Sequence, residues 1–127
     1  MTEDDPAALD YCYLTTTGRT SGNPHTIEIW FALAGSTVYL LAGGGDASDW
    51  VRNIRREPRV GLRIGEDDMI CRARVVEDPA EDALARRSLL DKYGPRYSGD
   101  LQEWGRTSLP VAVELPSPPE GAPEPRG

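Results

Sequence analysis

The chain is poor in the side chains that enzymes most often use as nucleophiles, general bases or metal ligands. Its 127 residues include one histidine, two cysteines and one lysine, and neither a GxSxG nor an HExxH motif is present. Cys12 and Cys71 lie in apolar runs without CxxC spacing or a neighbouring histidine, so we expect buried structural thiols. The sequence thus gives little support to catalysis by a protein nucleophile, and we expect no metal site.

Positive charge and long apolar runs are also scarce. The 14 basic residues stand against 21 acidic ones, and the net charge of -7 is the wrong sign for binding phosphate backbones or anionic membranes by bulk charge. No window approaches the roughly 20 apolar residues that a membrane-spanning helix needs, and the acidic start MTEDDPAALD does not resemble a secretory signal. We therefore expect no nucleic-acid partner, no integral membrane segment and a cytoplasmic location.

One folded domain is expected, because a chain of this length can bury one core of useful size and is too short for two. An acidic N-terminal segment spans residues 1–10, and the domain itself spans residues 11–115. The remaining residues 116–127 read PSPPEGAPEPRG, lack apolar periodicity and are expected to form a disordered proline-rich tail.

Apolar alternation and turn residues predict about six strands and two helices. The strands are predicted at residues 11–17, 26–33, 37–42, 59–64, 69–77 and 109–115. A short amphipathic helix, capped by Asp46 or Ser48, is expected to end before Pro58, and a second helix runs from Pro79 to about Tyr93. The first three strands form an antiparallel meander in this prediction. Strands that pair with sequence neighbours, without βαβ crossovers, indicate a mainly β fold with helices (α+β), its antiparallel sheet curled into a small barrel.

The turn after the first strand is unusually polar. Residues 15–30 read TTTGRTSGNPHTIEIW, although a hairpin needs only two residues with permissive backbone angles. Arg19, Thr20 and Ser21 combine a cation with hydroxyl donors, and this combination binds phosphate or carboxylate groups. The alternative is that the hydroxyls satisfy the turn's own backbone, and His25 is more often a turn residue than a ligand.

A second candidate feature is the run Gly43-Gly44-Gly45 before the first predicted helix. Backbone N–H groups at a helix N-terminus can hold a phosphate. Asp46 and Asp49 would repel an anion there, so we favour close approach of the backbone to a flat, neutral ring. A flexible connection is the alternative.

The order of these segments resembles the deazaflavin-dependent nitroreductase family, whose members use coenzyme F-420. The resemblance is carried by LTTTGRTSGNPH, by the glycine-rich turn with DWVRNIRREPRVGLRIG, and by Tyr93, Tyr97, Trp104 and Arg106 before LPVAVEL. It covers nearly everything from Leu14 to Leu115. It implies a split β-barrel of about six antiparallel strands, related to FMN-binding oxidoreductases.

The resemblance also implies a set of site residues. The residues expected to contact the cofactor are Arg19, Thr20, Ser21, Gly22, Ala42, Gly43, Gly44, Trp50 and Asn53. The first three of these would hold the cofactor's phosphate and acidic tail, although some members carry a lysine in place of Thr20. Tyr93 and Tyr97 are the candidate catalytic residues, since a tyrosine hydroxyl could orient the acceptor or supply a proton; plain packing is the alternative.

The function that the resemblance implies is an F-420-dependent reductase of the nitroreductase or quinone reductase type. It would transfer hydride from the reduced deazaflavin to an electron-poor small molecule such as a quinone, an activated alkene or a nitro compound. The alternatives are an FMN-dependent split-barrel reductase and a non-catalytic barrel that binds a small apolar molecule or a partner protein through Trp30, Trp50 and Trp104. Either a monomer or a homodimer is expected.

Overall fold

The computed structural model describes residues 9–96 and 101–116. Most of the predicted acidic segment and nearly all of the predicted proline-rich tail therefore lie outside the described residues. The strands in the described part are β1 (Cys12–Thr17), β2 (Pro24–Ile29), β3 (Ala32–Ala34), β4 (Thr37–Ala42), β5 (Arg59–Ile64), β6 (Asp67–Val75) and β7 (Leu109–Glu114). The α-helices there are α1 (Asp49–Arg56), α2 (Pro79–Tyr93) and α3 (Gln102–Thr107).

All seven strands of the described part belong to one antiparallel sheet with the order β2-β1-β5-β6-β7-β4-β3. Only Trp30 and Phe31 separate β2 from β3 in the chain, although these strands stand at opposite ends of the sheet. The sheet must therefore curl until its two ends approach each other. This confirms the predicted split β-barrel with helices.

The predicted strand over residues 26–33 is wrong in one respect, because the chain forms two strands there instead of one. Phe31 is fully buried between them, and its backbone bonds to α2 and not to a neighbouring strand. Its N–H donates to the Tyr93 hydroxyl at 3.0 Å, and its carbonyl accepts from Lys92 Nζ at 2.9 Å. The predicted meander is corrected accordingly: β2 pairs with β1, and β3 pairs with β4.

The barrel interior is packed with aliphatic side chains from every part of the sheet. Leu14, Leu40, Leu62 and Val113 are all buried there, and α1 covers one side with Ile54. Burial of this kind is the main favourable contribution to folding.

Both cysteines also face the interior, and both thiols are free. Burial raises the pKa of the Cys12 thiol to about 12, so it stays protonated at neutral pH. The prediction of buried thiols is confirmed.

The start of α2 has a strong local signal. The Asp78 side chain accepts a hydrogen bond from the Glu81 N–H at 2.9 Å, and Pro79 follows the cap, where its missing N–H costs nothing. Among the residues that the structure describes, no helix is long and apolar enough to cross a membrane.

A charged network joins α2 to the outer face of the sheet. Arg74 on β6 donates to both carboxylate oxygens of Glu81, at 2.8 and 2.9 Å, and to Glu114 on β7 at 2.6 Å. The Tyr39 hydroxyl donates to Glu81 at 2.8 Å. Hydrogen bonding to Arg74 holds the pKa of Glu81 below its usual value, and burial, with the bond to Glu81, raises the pKa of Tyr39 to about 12.

This network predicts a pH-dependent stability. Because the pKa of Glu81 is lower in the folded state, its contribution is present above the unfolded pKa of about 4.3 and is lost as pH falls through the folded pKa. We expect Glu81→Gln to lower the free energy of unfolding by about 1 kcal/mol at pH 7 and to make a progressively smaller difference as the pH falls below about 4.3. Urea unfolding from pH 7 to pH 3 measures this. Glu66→Gln, in the exposed turn between β5 and β6, is the matched control, and an unchanged pH profile in Glu81→Gln would contradict the expectation.

Candidate functional site

A groove of about 630 Å³ lies between the β1–β2 turn and α1. Five of the residues that were predicted to contact a cofactor line it: Arg19, Thr20, Ser21, Trp50 and Asn53. The other four, Gly22, Ala42, Gly43 and Gly44, lie outside its lining, and the Ala42 side chain is buried. The structure thus brings the polar turn and the first helix together and leaves the glycine-rich segment to one side.

Arg19 is fixed in the groove by α1. Asn53, only 3% exposed, accepts hydrogen bonds from the Arg19 backbone N–H at 3.1 Å and from its guanidinium at 2.9 Å. The Asn53 amide donates to the Thr16 hydroxyl at 3.0 Å, which ties the helix to β1. Arg19 Nη2 lies 3.2 Å from the carboxylate of Asp49. A cation at the mouth of the groove is therefore already oriented before any ligand arrives.

Sequence reasoning named Arg19 and Asn53 but missed their direct contact and the part played by Asp49. A usable signal was present, because residues four apart on a helix share one face. Asp49 and Asn53 have that spacing, so both were placed to meet the same partner. The partner itself comes from a turn 30 or more residues earlier, and no local pattern identifies it.

The turn is built to bring side chains close together. Ser21 Oγ accepts a hydrogen bond from the Asn23 N–H at 3.1 Å, so part of its polarity does serve the turn's own backbone. Gly22 has a φ of +76°, a conformation that glycine adopts without strain. A Cβ atom on Gly18 would lie 2.7 Å from Ser21 Oγ and 2.8 Å from His25 Nε2. Glycine at position 18 is thus what allows Ser21 and His25 to approach the groove.

The outer edge of β2 supplies backbone groups to the same region. No strand of the described part lies beyond β2 in the sheet. The Gly18 N–H donates to the Asn23 carbonyl at 2.8 Å, so Gly18 and Asn23 form a hydrogen-bonded pair. Along an antiparallel ladder such pairs alternate with pairs that do not bond to each other. In that alternation the N–H and C=O groups of Thr26 and Glu28 point away from β1. Thr26 also lines the groove, so a planar ligand there can meet unpaired backbone donors and acceptors.

A second cavity, of about 480 Å³, lies at the other end of β2, and we call it the aromatic pocket because three of its seven lining residues are aromatic: Tyr11, Trp30 and Trp104. Trp30 and Trp104 meet edge to face in its wall, with ring centroids 5.3 Å apart. Leu41 and Leu101 add apolar surface. Ile27 of the groove and Ile29 of this aromatic pocket are two residues apart on β2, a distance of about 7 Å. A ligand in the groove and a ligand in the aromatic pocket would therefore be neighbours along one strand.

Tyr93 lies beneath the aromatic pocket and not in its lining. It is 1% exposed, and its ring stacks on Trp30 with centroids 4.2 Å apart. Its hydroxyl accepts from the Phe31 N–H at 3.0 Å and lies 2.7 Å from the Asp10 carbonyl, to which it can donate. The predicted action of Tyr93 on a substrate stays a prediction, and its position in this structure favours the packing alternative. Tyr97, the other candidate catalytic residue, lies outside the described residues.

Arg86 holds α3, and with it Trp104, against α2. Its guanidinium donates to the carbonyls of Gly105 at 2.8 Å and Ser108 at 2.9 Å, where α3 ends. A Cβ atom on Gly105 would lie 2.7 Å from the Leu90 side chain, so the glycine permits close packing of the two helices. No helix is predicted here from the sequence, because the six residues of α3 are too few to show a helical period.

Comparison with known proteins agrees with this architecture. The family described as F420H(2)-dependent quinone reductase matches residues 6–116. An F420-H2 dependent reductase of solved structure superposes with a TM-score of 0.65 at 21% identity, over 84% of this chain and 94% of its own.

Two further solved structures show the same fold. A conserved hypothetical protein from Mycobacterium tuberculosis gives a TM-score of 0.66 at 20% identity, over 92% of this chain and 81% of its own. A FAD-binding protein from Mesorhizobium loti gives a TM-score of 0.61 at 17% identity, over 88% of this chain and 85% of its own. The match over residues 6–116 covers most of the chain and confirms the resemblance to F-420-dependent enzymes: the protein belongs to the F420H(2)-dependent quinone reductase family.

Proposed function

We propose that the protein is an F-420-dependent oxidoreductase that transfers hydride from the reduced deazaflavin to an electron-poor acceptor, with quinones as the first class to test. The observation that carries this proposal is the pre-oriented cation of Arg19 in a groove that opens along the unpaired edge of β2. A phosphate-bearing, planar cofactor fits these residues. The cation meets the phosphate, Gly18 lets the Ser21 hydroxyl lie close to the same groove, and the strand edge can hydrogen-bond a ring.

Each part of the groove has a role in this proposal. Arg19, Thr20 and Ser21 bind the phosphate, while Trp50 and the Thr26 backbone lie against the cofactor's ring. The coenzyme, when bound, supplies the hydride. The protein supplies orientation and a site partly shielded from water, so the chain needs no nucleophile of its own. Contacts from Gly22, Ala42, Gly43 and Gly44 remain predictions.

The aromatic pocket is the proposed place for the acceptor. A flat, electron-poor ring suits a wall built from Trp30 and Trp104 with apolar side chains beside them. Because this pocket lies two residues along β2 from the groove, an acceptor bound there would lie next to the cofactor. Tyr93 supports this wall from behind through its stack on Trp30.

FMN is the second candidate cofactor, and one observation favours it. The residues that line the groove provide a single permanent cation, Arg19, and Thr20 stands where some relatives have lysine. One arginine suffices for one phosphate but offers little to a long acidic tail. A small-ligand barrel without turnover is the third hypothesis.

Titration of the purified protein with F-420, FMN and FAD tests the proposal. We expect F-420 to bind, and we expect Arg19→Ala to weaken its binding about 10- to 100-fold, because the charge-assisted hydrogen bonds to the phosphate are lost. Arg87→Ala, which removes an exposed arginine on α2, is the matched control and should bind like the wild type. Quenching of cofactor fluorescence measures the affinity of the wild type, Arg19→Ala and Arg87→Ala.

The three hypotheses give different outcomes in this titration. Tight binding of FMN with no binding of F-420 would replace the proposal with the FMN-dependent reductase. Failure of all three cofactors to bind would leave the non-catalytic barrel. Equal affinities in Arg19→Ala and the wild type would show that the phosphate does not lie at Arg19.

A further inference from the structure

The groove holds a carboxylate directly against its one permanent cation. Asp49 begins α1, and its Oδ1 lies 3.2 Å from Arg19 Nη2. The Asp49 side chain is 85% exposed, whereas that of Arg19 is 32% exposed. An exposed ion pair of this kind is weak, so a phosphate oxygen can take the place of the carboxylate on Arg19. The displaced carboxylate nevertheless stays attached to the wall of the groove.

The charge balance of the groove follows from this pair. Among the described residues that line it, Arg19 is the permanent cation and Asp49 is the carboxylate, and His25 adds an imidazole. The first negative charge of a ligand is matched by Arg19. A second negative charge on the ligand meets no further arginine or lysine among the described lining residues. It would lie near the Asp49 carboxylate, and the repulsion between these like charges would weaken binding.

We propose that Asp49 is a specificity-determining residue that makes the groove prefer a phosphodiester to a phosphomonoester. A diester carries one negative charge, whereas a monoester carries about 1.5 to 2 at neutral pH. This inference rests on the proposed function and deepens it. The phosphate of F-420 is a diester and that of FMN is a monoester, so at the phosphate itself Asp49 disfavours FMN more than the deazaflavin.

Asp46 offers a matched comparison because it is a carboxylate of the same segment outside the groove. It pairs with Arg55 at 2.6 Å, on the exposed face of α1, and it is absent from the groove lining. Asp49→Asn keeps the size of the side chain and an acceptor for Arg19 while it removes the charge. Since the Asp49 side chain is exposed, this substitution leaves the core untouched.

The test compares FMN with its monomethyl ester, riboflavin 5′-methyl phosphate, which has the same ring and one negative charge fewer. Both are titrated into the wild type, Asp49→Asn and Asp46→Asn, with flavin fluorescence as the readout, and F-420 is titrated in parallel. We expect the wild type and Asp46→Asn to bind the ester about five-fold more tightly than FMN. In Asp49→Asn the two affinities should agree within about two-fold, chiefly through tighter FMN binding. The preference should also shrink in about 1 M salt, where charges are screened within about 3 Å.

The parallel titration separates the two proposals. If F-420 binds but Asp49→Asn keeps the wild-type preference, the role of Asp49 is overturned and the proposed function stands. If F-420 fails to bind and the preference disappears in Asp49→Asn, the role of Asp49 stands and the proposed function fails. If the wild type binds F-420 but neither FMN nor its ester, the inference requires that Asp49→Asn gains measurable FMN binding. Absence of FMN binding by Asp49→Asn would then overturn the inference. Absence of binding by all three ligands to every chain would overturn both.

Discussion

Asn53→Ala is expected to lower the free energy of unfolding by about 2–4 kcal/mol and to weaken cofactor binding at least about 10-fold. Asn53 is nearly fully buried, and its amide group is shared by the Thr16 hydroxyl, the Arg19 backbone N–H and the Arg19 guanidinium. Truncation to alanine leaves these three groups without that partner. The same change frees the Arg19 side chain, so a bound phosphate would have to order it again at an entropic cost.

Urea unfolding and cofactor titration measure the two effects of Asn53→Ala separately. Arg56→Ala is the matched control, because Arg56 lies on the same helix with an exposed side chain. It should change stability by no more than about 0.5 kcal/mol. A stable Asn53→Ala variant with wild-type affinity would show that Arg19 is oriented by its other contacts, chiefly the one to Asp49.

Tyr93→Phe is expected to lower the free energy of unfolding by about 1–3 kcal/mol, because it removes the acceptor of the buried Phe31 N–H. It also removes the hydroxyl that lies 2.7 Å from the Asp10 carbonyl. The phenyl ring keeps its stack on Trp30. We therefore expect turnover per folded molecule to stay within about two-fold of the wild type, since the hydroxyl faces backbone groups and not the aromatic pocket.

Thermal or urea unfolding and steady-state kinetics with a quinone acceptor measure the two sides of the Tyr93→Phe prediction. Tyr13→Phe is the control, because Tyr13 is 41% exposed and lies outside the aromatic pocket, so turnover should stay at the wild-type level. The opposite pattern in Tyr93→Phe, full stability with a large loss of turnover, would restore the catalytic role that the family resemblance implies.

Much of the barrel could be predicted from sequence because its signals are local. Alternation along a strand shows which side chains face the core, and Pro58 and Pro79 mark where one helix ends and another begins. The anion-binding character of the turn followed from Arg19 and its neighbouring hydroxyls. Resemblance to the family then added the split β-barrel and the expected cofactor contacts.

The parts that could not be predicted depend on contacts between distant segments. Phe31 lies in a pattern that continues the strand, yet Lys92 and Tyr93 bond its backbone groups and the strand ends there. Bonds to α2 take the place of ladder bonds at Phe31, so both its N–H and its carbonyl have partners. No alternation of side chains reveals such an exchange.

The sequence by itself determined most of the strands, the helices α1 and α2, the buried cysteines and the chemistry available at the polar turn. Only the tertiary structure decided what that chemistry faces: Arg19 meets Asn53 and Asp49 because the barrel brings α1 against the end of β1. It also decided that Tyr93 lies under the aromatic pocket. The physical reason is that burial and charge pairing depend on neighbours in space, and these neighbours are separated by 30 to 62 residues in the chain.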